Sequence, residues 1–220
     1  MKWSDWAGAL ALAASVSVAG AAAAEEKKPA PPAKTGSEDA APADKKATDQ
    51  KAADEKAMMD AWMKFATPGE GHKWLDPLVG TWDAKITMWM APGASPQEST
   101  GTSENKWVLG GRFVEQRYEG TFMGQPFNGL GYTGYDNFKK KYIGSWMDNM
   151  GTMMMVSQGE AAGKTLTMTS TVDDFMTGKS ATVKSEIKIM APDRHVMEMW
   201  GPDPSGKPFK SMEIQYTRKK

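Results

Sequence analysis

Cysteine is absent from the 220 residues, and histidine occurs only twice. Such a chain cannot build a disulfide scaffold, a thiolate metal site, a thiol nucleophile or a lipidated N-terminal cysteine. An excess of one charge is also missing, because 27 basic side chains balance 27 acidic ones. There is accordingly no electrostatic reason to expect nucleic-acid binding. The catalytic signatures G-x-S-x-G, H-E-x-x-H and the phosphate-binding loop are lacking. After Ala24 no uncharged apolar run is long enough to span a bilayer. Methionine stands out instead: 18 of them are present, well above ordinary usage.

The N-terminus reads as an export signal. Lys2 supplies the positive start, Trp6 to Gly20 is small and apolar, and Ala22-Ala23-Ala24 is a small-residue cleavage site. Residues 1–24 are therefore expected to be a signal peptide rather than a transmembrane helix, for which the stretch is too short and Ala-rich. The mature protein is expected in the bacterial periplasm or outside the cell, with no stable membrane insertion after cleavage. Residues 25–56 hold Ala, Pro, Lys, Glu and Asp and almost nothing large and apolar, a composition that predicts a disordered linker. The prolines stop at Pro42 and helix formers follow from Asp44. Met58, Met59, Trp62 and Phe65 recur at helical spacing, which predicts a leading helix over 57–66, ended by Thr67-Pro68-Gly69.

From Gly71 onward apolar and polar residues alternate with period two, and Gly, Pro, Asn or Asp punctuate the runs. This pattern predicts one all-β domain within 57–220, an antiparallel barrel or sandwich of about ten strands. The strands are read as 81–90, 98–109, 112–122, 127–136, 141–148, 152–160, 165–172, 180–190, 195–200 and 209–218. Alternation assigns Trp82, Ala84, Ile86, Met88 and Met90 to one face, and Leu166, Met168, Ser170 and Val172 to another. Ala181, Val183, Ser185, Ile187 and Ile189 share a third, and Met212, Ile214, Tyr216 and Arg218 a fourth. A barrel of this size is either filled by side chains or holds one small ligand. Glycines in the middle strands, adaptable methionines, and Ser170 and Ser185 on apolar faces agree with a cavity for a small hydrophobic molecule. Barrel corners and gap-filling methionines explain the same residues without one.

Gly80-Thr81-Trp82 opens the first strand, and Arg218 lies near the end of the last. This G-x-W with a terminal Arg resembles the calycin pattern of lipocalins, fatty-acid-binding proteins and nitrobindin-like barrels. That resemblance implies that Trp82 and Arg218 form a structural plug at one barrel end, the guanidinium over the indole, worth roughly 0.5–2 kcal/mol. The strings PGEGHKWLDPLVGTWD, LGGRFVEQRYEG, GLGYTGYDNFKKKY, SWMDNM and EIQYTRKK resemble an exported bacterial family, domain of unknown function 1579. The family resemblance implies a calycin-like barrel and export, and transfers no catalytic residue.

The candidate ligand-binding residues are Met88, Glu115, Arg117, Trp146, Met168, Ser185, His195, Met197 and Met199. Glu115 and Arg117 share a strand face; inward they would form a polar anchor, outward a solvated edge. Trp146 and Asp148 are a similar pair. Two cofactor alternatives stand beside a plain binding protein. Met147, Met150 and Met153 could offer thioethers to Cu(I), although a turn separates them and alternation splits their neighbours. His195, in line with Met197 and Met199, could ligate haem, or could be a strand-edge histidine. Asp173-Asp174 could do acid–base work or bind calcium, but a turn explains the pair more simply. An isomerase-type enzyme would rest on fold alone. The expected function is a lipocalin-like exported binding or accessory protein, with no catalytic residue assigned.

Overall fold

The N-terminal helix gains its length from side-chain pairs rather than from a buried face. In the structure, a computed structural model that describes residues 42–174 and 178–220, helix α1 spans Pro42–Ala66. Proline is tolerated in a first helical turn, where its missing N–H has no partner to lose. Gln50 donates to Asp54 at 2.9 Å and Lys56 to Asp60 at 2.6 Å, both one turn apart. These pairs, with the Ala-rich stretch around them, carry the helix into residues 42–56, which the composition marks as disordered linker. The signal read over 1–24 and the linker before residue 42 lie outside the described residues. Among the described residues no helix is long and apolar enough to cross a membrane.

A short helix α2 (Glu70–Lys73) and a 3-10 turn (Asp76–Leu78) lead into the strands. The ten strands are β1 (Gly80–Met88), β2 (Gln97–Val108), β3 (Phe113–Phe122), β4 (Gln125–Asp136), β5 (Lys141–Asp148), β6 (Met155–Ala162), β7 (Thr165–Asp174), β8 (Lys179–Ala191), β9 (Arg194–Pro202) and β10 (Pro208–Arg218). Each pairs antiparallel with its sequence neighbours, and β1 pairs with β10, so the sheet closes into an up-and-down barrel with no free edge. β6 starts later than its sequence pattern predicts. Thr152 to Met154 belong to the β5–β6 connection, and Met150, Met153 and Met154 are exposed there.

Closure sends alternate residues inward, and the register fixes which. Trp82 lies opposite Arg218 and Ser103, Ala84 opposite Tyr216, and Ile86 opposite Ile214. Leu166 lies opposite Ala161 and Ile187, and Met197 opposite Ile187 and Ile214. Two buried clusters result. Leu75 and Leu78 reach the first from the turns before β1, joining Val114, Tyr142, Leu166 and Met168. The second holds Trp82, Ala84, Ile86, Tyr118, Ile214 and Tyr216. One end of the barrel is thus filled by chain that precedes it.

Candidate functional site

The filled end is built on the G-x-W letters. Trp82 is 1% exposed and its indole N–H donates to the Leu78 carbonyl at 2.9 Å. Asn105 Nδ2 donates to the same carbonyl at 2.9 Å. Arg218 covers the indole at 4.1 Å and donates to the carbonyls of Val79 (2.8 Å), Pro77 (3.1 Å) and Pro192 (3.2 Å). Gly80 has φ +134°, and a Cβ there would run into the Arg218 guanidinium. The glycine is therefore required twice, by backbone conformation and by the arginine. Trp82 and Arg218 form the expected plug.

His195 belongs to this plug. It is 5% exposed, stacked on Tyr216 at 4.3 Å and set edge-on to Trp82 at 4.3 Å. Burial first, and then the Arg218 charge, lower its pKa to about 4. Its Nδ1 is buried without a hydrogen-bond partner. It lies at the end opposite Met199 and Met212, which leaves it a packed aromatic and not a strand-edge residue. His72, the other histidine, is also buried and accepts the Gly69 N–H at 3.1 Å.

The other end of the barrel differs. Here inward-facing side chains are only half-buried: Met88, Phe127, Trp146, Met155, Ser185, Met197, Met199 and Met212. Strand β6 shows it at its first residues, since Met155 and Ser157 face inward and neither is fully buried. Solvent therefore reaches the inner wall at this end, whereas Trp82, His195 and Tyr216 at the plug are buried. Met168 lies deeper, 4% exposed, opposite Gly159 and Ser185. Met88, Trp146, Met168, Ser185, Met197 and Met199 thus face one lumen, which the alternation predicts for Met88, Met168 and Ser185.

Two walls of that lumen have different character. On β1, β9 and β10 Met212 lies between Met88 and Met199 in the register, and Met197 lies deeper, opposite Ile214. On β3 to β5 the wall is aromatic. The Trp146 ring lies flat over Gly129 and Gly131, where any Cβ would strike it. Tyr118 meets Phe127 edge-on at 5.6 Å, and Phe122 lies 6.2 Å from Phe127. Tyr118 is opposite Gly129, and Gly129 opposite Asp148, so tyrosine and carboxylate occupy one level of the wall. Trp146 Nε1 donates to Asp148 Oδ2 at 3.0 Å, and the Met150 N–H donates to Asp148 Oδ1 at 3.0 Å. The Tyr118 hydroxyl is buried without a hydrogen-bond partner, and burial pushes its pKa up.

Glu115 and Arg117 lie elsewhere. Both face outward, opposite Lys106 and Glu104 and across from Tyr132 and Leu130. Arg117 Nε donates to Glu115 Oε1 at 2.7 Å and the Tyr132 hydroxyl donates to Glu115 Oε2 at 2.9 Å, bonds that hold the Glu115 carboxyl below its ordinary range. They anchor the outer wall and not a lumen ligand. Met147 also faces outward, opposite Leu130, while Met150 and Met153 are exposed in the following connection. Asp173 accepts the Ser180 hydroxyl at 2.6 Å across β7 and β8. No group of three or more His, Asp or Glu placed to hold a metal occurs among the described residues. An open groove of about 560 Å³ runs along β1, β2 and β10, lined by Ala84 and Gly101 as well as by polar side chains such as Asp83, Lys85, Gln215 and Thr217.

The sequence pattern leaves open which way Trp146 and Asp148 face, and does not place Phe127 or Met155 in the lumen. Gly129 and Gly131, small inward positions whose space the Trp146 ring fills, are the signal that this pair turns inward. Met155 was hidden by a strand start placed too early.

A closed ten-stranded up-and-down barrel, plugged at one end and open to solvent at the other, is the class of protein these features define. The chain belongs to the family described as protein of unknown function (DUF1579), whose model matches residues 67–218. The crystal structure of Rv2717c from M. tuberculosis shares the fold, with a TM-score of 0.51 at 14% identity over 70% of this chain and 100% of that one. A redesigned β-barrel (TM-score 0.37, 13% identity, 70% of this chain and 100% of that one) and a de novo designed fluorescence-activating β-barrel (0.39, 14%, 69% and 100%) overlap less. Comparison with curated proteins gave no match.

Proposed function

We propose that the protein is a binding barrel that takes up one small apolar or amphipathic molecule through its open end. The observation that carries this is the half-exposure of Met88, Trp146, Ser185, Met197 and Met199 although their strands turn them inward. A concave, largely apolar wall with a few polar groups is what small-molecule sites consist of. Methionine suits such a wall because its unbranched, polarisable side chain adapts to different shapes. The plug of Trp82, Arg218 and Leu78 stops the lumen at the far end, so the ligand has one way in and out. The export signal read over residues 1–24 supports action in the periplasm or outside the cell.

Titration with the neutral dye N-phenyl-1-naphthylamine tests this reading. Saturable binding with one dye per chain is expected. Ser185→Trp adds an indole to the lumen at a small, half-buried position, and should weaken binding by about tenfold or more while leaving the unfolding midpoint nearly unchanged. Absence of saturable binding, or equal binding by the filled variant with its fold intact, overturns the reading.

A further inference from the structure

The open half of the lumen holds a fixed carboxylate. Asp148 faces inward with Trp146 and is half-buried. The strand positions that share this half of the wall are mostly methionine, aromatic, serine, small aliphatic or glycine, with Gln97, Gln125 and Asp174 at its rim, and none holds an arginine. Arg218 faces inward only at the plug, where three carbonyls and the Trp82 ring occupy it. Lys184, Lys188 and Lys210 face outward and pair there with Glu186, Glu198 and Glu213. Lys179 alone falls on the inward side, exposed at the outer end of β8 and with an interaction of its own.

The carboxylate is also fixed. Its two oxygens accept from Trp146 Nε1 and from the Met150 N–H, each at 3.0 Å. That pins it at the mouth while leaving lone pairs on both oxygens. Beside it stand the Trp146 indole and, one register step away on β4, Phe127. A carboxylate flanked by aromatic faces is the environment that favours an ammonium group, through charge and through ring quadrupoles together. It disfavours a fatty-acid carboxylate, which would meet like charge at Asp148.

We infer that the lumen selects an amphiphile with a cationic head, its apolar body along the methionine wall and its ammonium group at Asp148 beside Trp146. This rests on the binding-barrel reading and names its ligand class. The full chain should be titrated calorimetrically with decyltrimethylammonium, 1-decanol and decanoate, each below its micelle concentration. The expected order is cation over alcohol over anion, with about tenfold or more between cation and anion. The margin should narrow as sodium chloride is raised, because salt screens a partly exposed charge. Asp148→Asn keeps an oxygen for Trp146 Nε1, and should bring the cation down to the level of the alcohol. Equal binding of all three probes overturns the charge selection but leaves the binding barrel standing. Binding of none overturns both. A preference for the cation that survives Asp148→Asn, or ignores salt, overturns the role given to Asp148.

Discussion

Single residues at the plug each have a separate physical task. Gly80 leaves room for a guanidinium, Trp82 fills the barrel end, and Arg218 ties three carbonyls from two segments over the indole. Lysine cannot reproduce this, since an ammonium is a compact point charge and lacks the planar fork that reaches several acceptors at once. Arg218→Lys is expected to cost about 1–3 kcal/mol, the range for losing charge-assisted bonds and a cation–aromatic contact. Urea unfolding monitored by tryptophan fluorescence measures it; a midpoint equal to that of the parent chain would remove Arg218 from the account of the plug. These letters were legible in the sequence because each is close to irreplaceable. Glu115 and Arg117 were not, since a charged pair on alternate strand positions reads the same whether the face points in or out. The deciding fact is non-local: β4 brings Tyr132 beside Glu115 on the outer wall.

Among the elements, the strands were the most legible, because their alternation is imposed by a wall with one wet and one apolar face. β5 falls where the pattern puts it, and most other strand ends shift by only a few residues. β6 misleads because Thr152, Met153 and Met154 carry strand-like side chains into a connection that pairs with nothing in the register. Helix α1 misleads in the opposite sense. Its apolar residues predict only its last part, while side-chain pairs extend it toward Pro42. Met58, Met59, Trp62, Met63 and Phe65 remain exposed on it, so their helical spacing does not mark a buried face. The C-terminal end of α1 is instead held by one side chain. Asn137, in the β4–β5 turn, donates to the carbonyls of Phe65 at 2.9 Å and Thr67 at 2.8 Å. Those carbonyls belong to the unsatisfied end of a helix, which such a side chain caps. Asn137→Ala should therefore speed amide hydrogen exchange in the last turns of α1 while changing global stability by less than about 1 kcal/mol. Unchanged exchange over residues 60–66 would show that the helix end is fixed by something else.

For the whole molecule, the barrel is asymmetric along its axis, rigid and aromatic at the plug and soft at the mouth. His195 makes the rigid end sensitive to acid. Its ring is packed between Tyr216 and Trp82, and burial lowers its pKa from 6.5 to about 4. The folded state therefore favours the neutral imidazole. Above pH 6.5 the ring is neutral in both states and contributes no pH dependence. As pH falls from 6.5 toward 4 the unfolded chain takes up a proton that the folded chain does not, and stability is lost across that window. Below about pH 4 both states are protonated and the loss is complete, amounting to about 3 kcal/mol at one pKa unit per 1.36 kcal/mol. His72, lowered in the same direction by burial and Arg112, adds to the slope. The outer-wall carboxylates Glu186, Glu198 and Glu213, held low by their lysine partners, act further down, their stability lost as pH falls through the carboxylate range. His195→Phe separates these contributions, since it keeps an aromatic ring between Tyr216 and Trp82 and removes the titration. Denaturant unfolding of both proteins at intervals from pH 7.5 to 4 should show the difference in stability shifting toward the variant as pH falls from 6.5, with the carboxylate-driven loss common to both. Parallel curves across that window would mean that the imidazole takes up its proton within the folded barrel at an ordinary pH, and that the plug yields to water more readily than its packing implies.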